Sequence, residues 1–297
     1  MEEAEEFLRQ AGLHHPSRSE LENYLSSRNH SAEACLAAGL ILQDTELLKE
    51  ALDREPSNPH ALFTLASRED FPSSQRLAWA AQLHELQPEN ALASYLIAKL
   101  NWEAGEIDSA LESLDRAHQQ PGFESFASES MMAVTDALRA TGSSPGGAAL
   151  YSSLTSEVPH LSELLSLSRN LQEYWQEAPP EETAILREQN ATLGARLAGS
   201  AESEFIISEL AGLAIQNNAY ENLPQDAPFP LDGIDSQQLE QSIEQRRTQI
   251  RELYQADPIE ILRTSPDMIE GYAMRVHALG ELEALSWLRS HAQPPGE

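Results

Sequence analysis

Apolar residues recur at intervals of three and four along nearly the whole chain, and the alternating pattern of a half-buried strand is almost absent. Leu47, Leu48, Ala51 and Leu52 share one helical face. Leu161, Leu164, Leu165, Leu171 and Trp175 share another, and Leu186, Asn190, Leu193 and Leu197 a third. Each such face must be buried against a neighbour, so the chain is expected to be all-α, built from antiparallel helix hairpins. Start signals punctuate the pattern. Ser17-Arg18-Ser19-Glu20 reads as a capping box, Ser31 precedes an Ala-rich helix ending near Leu42, and Asp44 or Thr45 caps the next. Asn58-Pro59 reads as an N-cap followed by proline at the first helical position.

Between Asp44 and Pro121 the spacing becomes regular. Ala51, Leu83 and Ala117 each stand four or five residues before Pro56, Pro88 and Pro121. These intervals lie within about two residues of the ~34-residue period of tetratricopeptide helix pairs. In the stretch Glu89–Pro121, Gly105 supplies the turn, Ala98 and Ala110 allow close approach, Leu114 fills the seam, and Ala117 and Pro121 close the unit. This region, about a quarter of the chain by that count of period matches, resembles a degenerate tetratricopeptide array. The middle unit, Pro59 to Pro88, lacks the turn glycine and carries Glu69-Asp70-Phe71-Pro72 instead. The resemblance implies an α-solenoid whose first helices line a concave groove for an extended or helical peptide.

Beyond Pro121 the period dissolves. Gly142-Ser143-Ser144-Pro145-Gly146-Gly147 reads as a seam between a helical-repeat region, 1–141, and an irregular helical domain, 148–297, on which the solenoid half is expected to pack. Asn190 is expected to be partly exposed at the rim of its stripe, a register-fixing role being the alternative. The segment FIISELAGLAI, Phe205 to Ile215, is apolar nearly all round and reads as a central buried helix. It lies within Ala195–Leu223, which is similar to a segment of uncharacterised bacterial all-helical proteins and implies no activity. The proline-containing stretch 220–235 is the one long irregular connection. There Asp232-Gly233 reads as a turn, and Asp235 as an N-cap with Gln238 completing a capping box. A last hairpin, Pro266 to His291, is expected to hold Trp287 packed inward.

Charge narrows the function classes. With 48 acidic residues against 19 basic, the net charge is −29. Such a surface repels phosphate backbones and anionic headgroups, so nucleic acid and membrane surfaces are not expected partners. No run reaches the length of a membrane span, and the acidic start Met1–Glu6 does not read as a signal peptide. The compartment is expected to be the cytoplasm by default, or outside it if an export or anchor segment belongs ahead of Met1. Cys35 is the single cysteine, which excludes an intrachain disulfide and a cysteine-rich zinc site. It reads as a small buried apolar residue, His30 being the only nearby group that would activate a thiol.

No phosphate-binding glycine loop, nucleophile elbow or zinc-helix motif is present, and no catalytic, cofactor-binding or metal residue is assigned. The expected function is a non-enzymatic protein-interaction scaffold. Its candidate surface is Tyr95, Lys99 and Trp102, spaced four and three apart on the helix that would face the groove. The competing role for Trp102 is burial against the next helix pair. The partner is expected to be a peptide or protein of basic or apolar character. The alternatives are a structural component of an envelope or cytoplasmic assembly, and an enzyme with a pocket between the halves using a buried carboxylate such as Glu209.

Overall fold

The computed structural model describes residues 11–155, 158–199, 205–224, 227–255 and 257–291. The acidic start Met1–Glu6, and Gln225 and Asp226 of the proline-containing loop, lie outside the described residues. The described chain is all-helical, its only extended pairing being two isolated bridges, Asn90–Gly122 and Leu231–Ile234. None of the described helices is long and apolar enough to cross a membrane.

The chain divides into two units, each discontinuous in sequence. The first takes its described residues from Met1–Ala61, Phe126–Glu157 and Ile250–Glu297, the second from Leu62–Ser125 and Val158–Gln249. The Gly142–Gly147 stretch therefore lies inside the first unit.

In the first unit, α1 (Arg18–Ser27), α2 (Ala32–Leu42) and α3 (Thr45–Arg54) follow one another through capped turns. Ser17 and Glu20 form the reciprocal capping box, Ser31 caps α2, and Asp44 Oδ1 accepts from the amides of Glu46 and Leu47. These caps are local chemistry, fixed by residues two or three apart. The helix α4 (Pro59–Ala66), which carries residues of both units, starts from Asn58, whose Oδ1 accepts from Ala61 N at 3.0 Å. Helices α8 (Ala127–Ala140) and α9 (Pro145–Thr155) pair with each other, and α8 also packs on α2. Helices α14 (Pro258–Thr264), α15 (Ile269–Leu279) and α16 (Glu281–His291) complete the unit, with α15 packed along α9.

In the second unit, α5 (Ser73–Leu86), α6 (Ala91–Glu103) and α7 (Ile107–Gln119) form consecutive antiparallel pairs. The α6–α7 turn is a Schellman motif. Gly105 has φ +78°, its N–H donates to Trp102 O, and Glu106 N–H donates to Asn101 O. Ala98, Ala110, Leu114 and Ala117 are all buried in the seam, as the repeat-like spacing predicts. The connection between α4 and α5 has no turn glycine, and Arg76 closes it by donating from Nε to Ala66 O at 2.8 Å.

Helices α10 (His160–Trp175), α11 (Pro180–Gly199) and α12 (Ile206–Tyr220) follow, and α13 (Ser236–Leu253) carries residues of both units. α11 and α12 approach with backbone nearly touching. A Cβ on Gly212 would stand 2.5 Å from Ala198 N and Gly194 O. Asn190 bridges this pair, its Nδ2 donating to Ile215 O at 3.3 Å. It is fully buried rather than at a rim, because the glycine crossing draws α12 over it. Nor is α12 buried all round: Ile207 and Leu210 face solvent. Trp287 on α16 is half-buried, with Arg275 stacked 4.0 Å above its ring. That guanidinium, with its polar edge in water, takes the place of a fully apolar pocket.

Candidate functional site

The face of α6 that the sequence offers to a partner is taken up by the chain itself. α10 packs along α6, and α11 lies against α7. Tyr95, Lys99 and Trp102 are divided between these contacts. Tyr95 is fully buried, and its hydroxyl accepts from Arg196 Nη1 of α11 at 3.0 Å. Burial pushes its phenol up to about 12, against the opposing pull of the guanidinium. Lys99 is buried too, its Nζ 2.7 Å from Glu163 Oε2 on α10 and 2.5 Å from Glu103 Oε1. Trp102 is half-buried and meets Tyr174 of α10 edge-on, ring centroids 5.5 Å apart. An open groove lined by all three therefore does not exist in this structure. The cause is a helix supplied from later in the chain, whose Glu163 neutralises the lysine that would otherwise attract an acidic ligand.

Glu163 is 2% exposed, and its second oxygen, Oε1, accepts from Arg76 Nη2. The carboxylate is thus held between two cations from α5 and α6, with Glu103 at the partly exposed end supplying the fourth charge. Two further arginines on α11 close helix ends. Arg196 donates to the carbonyls of Ala117, His118 and Gln120 at the C-terminus of α7, and Arg187 to those of Ala219 and Glu221 at the C-terminus of α12. Both place a cation where the helix dipole is negative. These contacts all lie within the second unit.

Glu209, the buried carboxylate considered for chemistry, is gripped bidentately by Arg246 Nε and Nη2. The pair lines a shallow cavity of about 390 Å³ between α11, α12 and α13, with Gln216, Ser242 and Gln245 around it. The 231–234 turn is held to Tyr220, whose hydroxyl accepts from Leu231 N and donates to Ile234 O. Gly233 makes the turn at φ +74°, and Asp235 and Gln238 form the expected reciprocal cap.

The first unit holds the more apolar concavity, about 370 Å³. Its floor is Leu150, Leu262, Tyr272 and Leu285, all buried, and its walls are Leu154, Tyr254 and Ile259, respectively 54%, 45% and 45% exposed. Four elements hold these residues: α9, the residues after α13, α14, and the α15–α16 hairpin. Asp257 at the lip caps α14, accepting from Ile259 N at 2.9 Å. Tyr254 donates its hydroxyl to Glu281 Oε1 at 2.7 Å, which fixes the ring as one wall. Burial and the adjacent carboxylate both push the Tyr254 phenol up, so it stays a neutral donor. Sequence reasoning missed this site because its walls come from segments about 100 residues apart in number, Leu154 and Tyr254. The one available signal was Asp257-Pro258, a capped start that leaves Ile259 on the first, exposed turn.

No protein-family model, curated protein or solved structure matches the chain.

Proposed function

We propose that this chain is a non-enzymatic interaction scaffold that holds a basic, apolar peptide segment in the groove of its first unit. The observation that carries the reading is the grouping of Leu154, Tyr254 and Ile259, large apolar side chains left in water, around one cavity with a buried apolar floor. Exposed apolar residues are ordinary when scattered and informative when they converge on a concavity. The carboxylates Asp257 and Glu281 at the lip, in a chain of −29 net charge, favour a partner with lysines or arginines flanking its apolar anchors.

We further propose that the α6–α7 hairpin is a divergent tetratricopeptide-like unit whose customary ligand face has been given over to α10. The Schellman turn at Gly105 and the small residues in the seam support that reading. On it, the ligand role passes from the repeat to the apolar groove.

The test is binding of a panel of amphipathic peptides, basic and acidic, to the full chain and to Leu154→Asp and Ile259→Asp variants. The expected result is salt-sensitive binding of basic members, lost in both variants. Equal binding by the variants, or preference for acidic peptides, would contradict the proposal.

A further inference from the structure

A second cluster in the first unit has ligand chemistry of a different kind. His30 sits in the α1–α2 connection with a left-handed backbone, φ 48°, anchored by its N–H to Leu25 O at 2.8 Å. That conformation turns the imidazole toward α2 and α3. One turn into α2, Cys35 is fully buried, and from α3 Glu50 reaches the same point. A ring nitrogen of His30, the Sγ of Cys35 and a carboxylate oxygen of Glu50 all lie within 4.8 Å of one another, and His30 Nδ1 is the nitrogen that faces Glu50. Nδ1 is shielded from solvent and has no hydrogen-bond partner, and Glu50 Oε1, 3.6 Å away, is too far to supply one. A buried, unpartnered nitrogen aimed at a thiol and a carboxylate needs an explanation that packing does not give.

We propose that His30, Cys35 and Glu50 bind Zn²⁺ through Nδ1, Sγ and one carboxylate oxygen, leaving the fourth tetrahedral position to water or a small ligand. The mixed nitrogen, sulfur and oxygen set selects a borderline-soft transition ion, since calcium and magnesium take oxygen alone. Bond lengths of about 2.0–2.3 Å at a tetrahedral metal place donors about 3.5 Å apart, so the His30–Glu50 separation already fits. The thiol must close by about 1.3 Å at most, within reach of side-chain rotation.

The imidazole binds neutral, and the thiol gives its proton to solvent as the sulfur–zinc bond forms. Burial, reinforced by Glu50, pushes the free thiol up to about 11. Binding should therefore strengthen as pH rises. Arg54, 2.9 Å from the Glu50 oxygen, is the competing cation. His30 and Glu50 are partly exposed and give the ion its route in.

Cobalt(II) titration of the full chain tests the site, because Cys35 is the only cysteine and a sulfur-to-cobalt charge-transfer band can arise from nowhere else. The expected result is one equivalent with tetrahedral visible bands and the charge-transfer band, bleached by added Zn²⁺. The band should vanish in Cys35→Ser. Affinity should fall at least about tenfold in Glu50→Gln and in His30→Asn, the loss of a ligand costing no less than loss of its outer partners. Asn tolerates the left-handed backbone and Glu50 is not a core side chain, so circular dichroism is expected to show both variants folded. A saturated chain with no charge-transfer band, a band that zinc does not bleach, or unchanged affinity in either variant would overturn the proposal.

Discussion

The decisive residue is Glu163. A buried ion pair is poor evidence of stability by itself, since the desolvation of both charges offsets their attraction. Removing the one anion between two buried cations is a different matter. Glu163→Gln should destabilise the chain by about 3–5 kcal/mol, the usual cost of leaving buried charge uncompensated. Lys99→Met should cost much less, because Arg76 and Glu163 remain paired and Glu103 is partly exposed at its side chain. Denaturant midpoints for the two variants measure the difference, and equal losses would mean the cluster is not the charge arrangement described. The sequence placed Tyr95, Lys99 and Trp102 on one helix correctly, but not what faces them. Lys99 meets a carboxylate 64 residues later in the chain, and nothing in the spacing of α6 encodes that partner.

At the scale of elements, local chemistry was readable and long-range contact was not. The capping box at Ser17, the caps at Ser31, Asp44 and Asn58, and the Asp235–Gln238 box all rest on residues at most three apart. Gly105 was likewise legible, as a turn glycine between two periodic segments. Gly105→Val should cost about 1–3 kcal/mol through strain at its positive φ, since nothing lies within 4 Å of the added Cβ to resist it by contact. Gly212 is the opposite case. Its Cβ would strike the backbone of α11, so Gly212→Ala should destabilise by about 1–3 kcal/mol, through separation of two helices rather than through dihedral strain. Thermal unfolding of both variants separates the mechanisms when Asn190→Leu is added. The second glycine change should be non-additive with it and the first additive, because Asn190 bridges α11 and α12 and is remote in the chain from the α6–α7 turn. The burial of Asn190 escaped the sequence for the same reason. Its stripe spacing fits a rim or an interior equally, and only the glycine crossing decides.

For the molecule as a whole, acidity and burial act together on stability. His60 is buried against Phe126 with its Nε2 2.7 Å from Ser130 Oγ, and His160 is buried beside Phe63. Burial alone lowers both imidazoles to about 4 from an ordinary 6.5. Between those values the unfolded chain takes up protons that the folded chain refuses. The stabilisation is therefore complete above pH 6.5 and is lost as pH falls toward 4, on the order of 3 kcal/mol for each histidine. Carboxylate protonation relieves the −29 charge over part of the same range, so the clean readout is a difference. Stability should fall less steeply between pH 6.5 and 4 in His160→Leu than in the parent chain, and parallel slopes would contradict the assignment. The partition into two discontinuous units was not legible from composition. A Gly- and Ser-rich stretch such as Gly142–Gly147 marks a bend in the chain, and whether it divides or joins is set by contacts with helices far along the sequence.

The claim that the apolar groove of the first unit, rather than the α6 face, receives the partner is tested most directly by hydrogen–deuterium exchange of the full chain with and without a basic amphipathic peptide that it binds. Added protection is predicted around Leu150–Leu154, Tyr254–Leu262 and Glu281–Leu285, diminishing as salt screens the acidic lip. Protection centred on Trp102 and the α6–α7 hairpin, with the groove unchanged, would contradict the account.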